Sequence, residues 1–249
     1  MKKLILLLLL IWQGAAYGAL DQTSDDITDD AAGGASTAIT FPVSPTTGCA
    51  VFVTWVGYNG SNYDAATVDD DQSGSYTIVK SPGTGSNSTV EMLAYLQSAG
   101  VGVTTVTITH TYSSGNYIRA RAFSWCAQSA GMYDQLGQTI DTGTTSTVAT
   151  TPATSQASEL VVAVIAVPIS SNNVHVGDPP ASGYNSIFVE QDHATHVGGE
   201  AAYKVVSSIG AQSATWAHDS GDATATVATF KLGAPPAATV RGHRSVTIQ

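Results

Sequence analysis

The chain has 249 residues, only 11% of them charged, and its nineteen acidic against nine basic residues give a formal charge of −10. Such a balance repels phosphate backbones and anionic membrane surfaces and offers no basic stripe, which argues against nucleic acid as a partner. Ser, Thr, Gly, Ala and Val dominate, a composition that suits short strands and polar turns with Thr and Val on pleated faces.

At the N-terminus Lys2 and Lys3 precede an apolar run from Leu4 to Trp12, and Ala16-Tyr17-Gly18 sets small residues where a signal peptidase reads. Residues 1–18 are therefore expected to be a signal peptide cut before Ala19. The run is about half of the ~20 residues needed to span a bilayer, so no membrane anchor is expected after cleavage. The predicted location is secreted, either extracellular or at the cell surface.

Strand-like runs then follow one another with no amphipathic helix between them. Cys49 to Trp55, Tyr76 to Val79, Val90 to Leu96, Val103 to Tyr112 and Tyr117 to Trp125 are apolar or alternating and bounded by Gly, Asn, Asp or Ser. Leu160 to Val167, Tyr184 to Val189, Ala201 to Val206, Ala211 to His218 and Ala223 to Leu232 form a second series. The two series superpose at a spacing of 108 residues, which carries Val53, Val56, Tyr76, Ala94, Tyr95 and His110 onto Val161, Val164, Tyr184, Ala202, Tyr203 and His218. Beyond Ser113 the spacing is 107, and Phe123 falls on Phe230. Each series opens with an Asp-Gln segment, at Asp21-Gln22 and Asp134-Gln135, followed by a Thr-rich strand ending near a proline.

Seven or eight short strands in such a length need two packed sheets, because a single sheet would leave a face exposed. The predicted fold is all-β, with two tandem antiparallel β-sandwich domains related by an internal repeat, at 19–130 and 131–233. Eight strands favour a jelly roll over an immunoglobulin-like sandwich, and one larger sandwich with the repeats as halves is the alternative. Residues 234–249 read as a Pro-stiffened linker and a short C-terminal strand.

The segments Glu159-Leu-Val-Val-Ala-Val164, Ala202-Tyr-Lys-Val-Val206 and Ala223-Thr-Ala-Thr-Val-Ala-Thr-Phe-Lys231 resemble strand sets in secreted tandem β-sandwich proteins of environmental bacteria and their phages. The resemblance implies an extracellular or virion-surface structural role and carries no catalytic residue with it.

Among candidate site residues, Cys49 opens one strand and Cys126 closes another, so a disulfide is expected if those strands are antiparallel neighbours. His110 and His218 each continue an apolar stripe and read as packed histidines, and no Gly-x-Ser-x-Gly elbow supplies a nucleophile. Asp69, Asp71 and Ser73 have the spacing that opens a calcium loop, but Lys80 stands at its twelfth position, so an acidic hairpin is the stronger expectation and calcium is the one cofactor the pattern admits. His193 and His196 would bind zinc only if a turn brought both rings to one side.

Tyr58, Asn59, Asn62 and Tyr63 lie in a Gly-rich loop able to stack on and hydrogen-bond a surface glycan, and Tyr117, Arg119 and Arg121 share a strand face that suits an acidic ligand. Val246 and Ile248 alternate with polar residues, and a strand there would allow self-association through a neighbouring sheet edge. The predicted function is a non-catalytic structural or adhesive module of a surface, appendage or virion. The alternative is an extracellular carbohydrate-active enzyme, although Glu91, Glu159, Glu190 and Glu200 do not mark a catalytic pair.

Overall fold

The computed structural model describes residues 18–25, 27–29, 36–58, 64–80, 89–111, 117–142, 146–168, 183–190, 197–218 and 222–233. All regular elements among them are strands: β1 (Leu20–Thr23), β2 (Ile27–Asp29), β3 (Ser36–Thr40), β4 (Ala50–Tyr58), β5 (Asp64–Asp70), β6 (Thr77–Lys80), β7 (Thr89–Leu96) and β8 (Thr105–Thr111) come first. They are followed by β9 (Tyr117–Trp125), β10 (Gln128–Thr142), β11 (Ser146–Ala153), β12 (Glu159–Pro168), β13 (Asn185–Glu190), β14 (Val197–Val206), β15 (Ala211–Ala217) and β16 (Asp222–Leu232).

The strands form several antiparallel sheets. One large sheet has the order β1-β9-β4-β7-β6, with β2 also paired to β9, and a second has the order β10-β16-β12-β14-β13. Two small sheets are ordered β3-β8-β5 and β11-β15. Side-chain alternation on the large sheets explains how they stack. On β4, Phe52 and Val56 join a core that also holds Leu160, Val162, Val164 and Phe230 of the second large sheet, while Val51, Val53 and Trp55 join Ile39, Val106 and Ile108 of the first small sheet. On β12, Val161, Ala163 and Ile165 pack in turn with Ala214 and Trp216 of the other small sheet.

Four layers result, with the two large sheets face to face in the middle and a small sheet on each outer side. Strands covered on both faces must be apolar throughout rather than alternating, which accounts for the run Leu160 to Val167, every residue of which is fully buried. The central layer is rich in rings. Phe52 stacks on Phe123 at 5.0 Å and meets Phe230 edge-on at 4.8 Å, while Tyr95 meets Phe230 at 5.3 Å and Tyr203 lies 6.0 Å from Phe123.

Ala50 faces Trp125 in the β4/β9 ladder, and one residue outward Cys49 and Cys126 are joined in a disulfide with their Cα atoms 4.4 Å apart. Only Cys126 and Ala127 separate β9 from β10, and Ala127 takes the left-handed conformation at φ 65° that turns the chain from one large sheet into the other. The division expected after residue 130 therefore falls inside β10. Strand β5 also replaces part of the expected acidic loop.

Candidate functional site

The calcium-like segment is organised by the aspartate that its pattern skips. The Asp70 carboxylate, buried at the end of β5, accepts the amides of Gln72 at 2.9 Å and Gly74 at 2.7 Å, and the Tyr76 hydroxyl at 3.5 Å. Asp71 turns away and accepts the Thr104 amide at 3.1 Å and the Thr104 hydroxyl. Burial acts to raise the Asp71 pKa, but the Thr104 bonds prevail and hold it below the usual value. Asp69 is exposed in its strand, and Ser73 has φ 63° in the turn. Among the described residues the one trio of metal-ligating groups within reach of each other is Asp21, Cys49 and Cys126, whose sulfurs are already joined in the disulfide.

Of the candidate glycan residues, Asn59, Asn62 and Tyr63 lie outside the described residues, as do His193, His196 and the C-terminal segment 234–249. The backbone of Tyr58 stands opposite that of Tyr117 in the β4/β9 ladder, so these two candidates share one rim of the first large sheet. Arg119 and Arg121 turn towards the second large sheet. The Arg121 guanidinium donates to the Ile187 carbonyl at 2.6 Å and to the Ser24 carbonyl at 3.2 Å, and Arg119 lies 6.0 Å from the Phe188 ring centre. Both bridge elements of the protein itself.

The buried glutamates occupy separate layers. Glu91 accepts the Thr226 hydroxyl at 2.9 Å across the central core, whereas Glu200 accepts the Trp216 indole N–H at 2.9 Å in the outer core of the second large sheet. His218 is buried with Nε2 2.9 Å from the Thr147 hydroxyl on β11, the packed role expected of it.

A cluster that sequence reasoning missed sits at one end of the second large sheet, on three adjacent strands. Lys231 of β16 faces Glu159 of β12 directly in the ladder. On the other side of β16, Asp134 of β10 is the extra residue of a bulge between the pairs Tyr133/Phe230 and Gln135/Thr229, and a bulge re-aims the side chain it carries. The Lys231 Nζ lies 3.4 Å from Asp134 Oδ1. Asp134 also accepts the Ser155 hydroxyl at 2.6 Å and the Ser155 amide at 2.7 Å.

Burial acts to raise the Asp134 pKa, but Ser155, Glu159 and Lys231 together hold it below its usual value. Glu159 goes the other way: burial first, and the Asp134 carboxylate beside it, raise it to about 7. The Thr229 hydroxyl and the Gln156 amide, which Oε1 accepts at 3.4 Å, act to lower it but do not prevail, and the bond between the two acids places a proton between them. Gln156 closes the end of the cluster by donating to the Leu232 carbonyl at 2.9 Å. The cluster thus holds a proton-sharing acid pair against an amine. Its sequence signal is slight, consisting of one charged residue at an end of each of two apolar strands.

Comparison with family models, curated proteins and solved structures finds no match to this chain.

Proposed function

We propose that the chain is a secreted, non-catalytic structural or adhesive module of a cell surface, appendage or virion, built from two jelly-roll-like sandwiches related by an internal repeat. The observation that carries this is the correspondence of strand orders. The sequence β1-β9-β4-β7-β6 is answered position by position by β10-β16-β12-β14-β13, and β3-β8 by β11-β15. In both, the chain passes back and forth between a large and a small sheet and returns its last strand beside its first, the winding of a double Greek key.

Two further details support the repeat. Asp21 accepts the amide and hydroxyl of Thr46 as Asp134 accepts those of Ser155, so the same carboxylate tether precedes β4 and β12. Tyr95 meets Phe230 while Tyr203 meets Phe123, which are reciprocal contacts once Tyr95 is matched to Tyr203 and Phe123 to Phe230. Reciprocity of this kind characterises two-fold interfaces.

A structural role is favoured because Asp21, Asp70, Asp134 and Arg121 bond to the protein's own backbone, and Glu91, Glu159 and Glu200 are buried. Glycan adhesion is assigned to the rim where Tyr58 faces Tyr117. The test is a glycan array probed with the exported protein and with a Tyr58→Ala/Tyr63→Ala variant, run beside a reducing-sugar assay on a polysaccharide panel. Retention by the wild type alone, without sugar release, supports adhesion. Equal retention by both proteins rejects that rim, and released sugar overturns the non-catalytic assignment in favour of the enzyme.

A further inference from the structure

The first large sheet carries a covalent staple that the second lacks in kind. Cys49 and Cys126 tie the entry of β4 to the exit of β9, whereas the 108- and 107-residue spacings put Ala157 and Gly233 near the matching places. What the second sheet has at that end is Lys231 with its amine 3.4 Å from the carboxylate of Asp134, and Glu159 buried on the other side of Lys231. The first sheet has the reverse arrangement: Asp21 there meets the Ser124 hydroxyl at 2.9 Å, and Val51 stands where Glu159 would be. Each unit therefore owns one set of side chains able to join covalently, and the sets differ.

We propose that Lys231 and Asp134 condense into a side-chain amide linking β16 to β10, with Glu159 relaying the protons. As an ammonium–carboxylate ion pair the two groups do not react, since the nitrogen lone pair is occupied and the carboxylate repels attack. Glu159 passes the proton it shares to the Asp134 carboxyl and takes one from the ammonium in its place. The freed Nζ attacks Cγ, a C–N bond forms, and one C–O bond breaks. The second nitrogen proton leaves with that oxygen, so the ion pair becomes an amide and one water, with no oxidant, reductant or net proton required.

The site meets the requirements of this step. The Asp134 side chain is 5% exposed and Glu159 is fully buried, so water has little access to the carboxyl side of the bond, while the Lys231 side chain, 29% exposed, lies at the edge of the site. Held groups also act at effective concentrations on the order of 10⁵ M or more, which drives a condensation that free amine and acid in water do not undergo. The Ser155 hydroxyl and amide keep the Asp134 carboxyl in position and polarise it towards attack.

The experiment is intact-mass spectrometry of the folded, leader-free protein after reduction of its disulfide, followed by proteolysis. The expected mass is one water below that of the sequence, with a branched peptide joining Lys231 to Asp134. Lys231→Arg, which keeps the charge, should have the full mass. Glu159→Gln should form the bond about 100-fold more slowly or worse, the scale of a lost general acid–base group, while its circular dichroism and Cys49–Cys126 disulfide stay intact. Full mass in folded wild-type protein overturns the proposal. So does a lost water that maps to a cyclic imide at another aspartate, or bond formation at the wild-type rate in Glu159→Gln.

Discussion

Phe230 is the side chain on which the two large sheets most depend, and its truncation to alanine measures how far they fold as one body. It is fully buried and touches Phe52 at 4.8 Å, Tyr95 at 5.3 Å and Tyr133 at 6.0 Å, so it holds rings from both sheets at once. Truncating a buried phenylalanine costs about 3–5 kcal/mol. The aromatic pairs, each worth about 0.5–1.5 kcal/mol beyond area, put Phe230→Ala near the upper end. In a chain of this size that corresponds to a fall of roughly 10–20 °C in the melting midpoint.

Two probes lie ready on opposite sides: Trp55 in the outer core of the first large sheet and Trp216 in that of the second. Fluorescence of single-tryptophan variants in guanidinium should show both probes moving to the same lower midpoint, because the core between the sheets is shared. A loss below about 1 kcal/mol, or a shift at Trp216 while Trp55 stays at its wild-type midpoint, would refute the shared core and leave two sandwiches that merely touch.

Removing the disulfide by Cys49→Ala/Cys126→Ala should cost about 4 kcal/mol, since the bridge closes a separation of 77 residues and constrains the unfolded chain accordingly; denaturant titration of both forms measures it. In Lys231→Arg, where Asp134 remains a carboxylate facing Glu159 and the arginine, Glu159 keeps its proton to about 7 when folded but only to about 4.5 when unfolded. The contribution of Glu159 to stability should then be full below pH 4.5 and fall by about 3 kcal/mol as pH rises to 7, and adding Glu159→Gln should flatten that part of the profile. Glu200→Ala leaves the buried Trp216 N–H without its acceptor and should cost about 1–3 kcal/mol, read as an earlier guanidinium midpoint.

Much of the strand pattern was legible because a strand in this protein is long, apolar and bounded by turn residues. Cys49 to Trp55 predicted β4, and Tyr117 to Trp125 coincides with β9. Strand β5 was obscured because Asp69 and Asp70 end it, and successive strand residues point to opposite faces. Asp69 is accordingly exposed, while Asp70 is buried and bonded to its own turn. The disulfide could be inferred because neighbouring antiparallel strands bring one start beside the other's end. Asp134, Glu159 and Lys231 could not be joined from sequence, for their meeting depends on strand order and on a bulge, and neither leaves a periodic trace. The same limit misled the expectation for Arg119 and Arg121, whose common face was correct but turns out to be covered by the second large sheet.

On the repeat proposed above, the polar residues of the central layer show how two copies became unlike halves. Glu91, Arg119 and Arg121 face inward from the first large sheet, and the repeat spacings set Gly199, Thr226 and Ala228 in the corresponding places of the second. A Cβ on Gly199 would come within 2.9 Å of the Val56 methyl groups and 2.7 Å of the Ile165 carbonyl, so that position admits no side chain where its counterpart has a glutamate. Thr226, in the place of an arginine, instead supplies the hydroxyl that Glu91 accepts. Two first-type faces packed together would bury two glutamates and four arginines with no Thr226 between them, and burying charge without matched partners is costly. The large charged side chains of one sheet thus need the small residues of the other, and the pairing favoured is the one within a single chain.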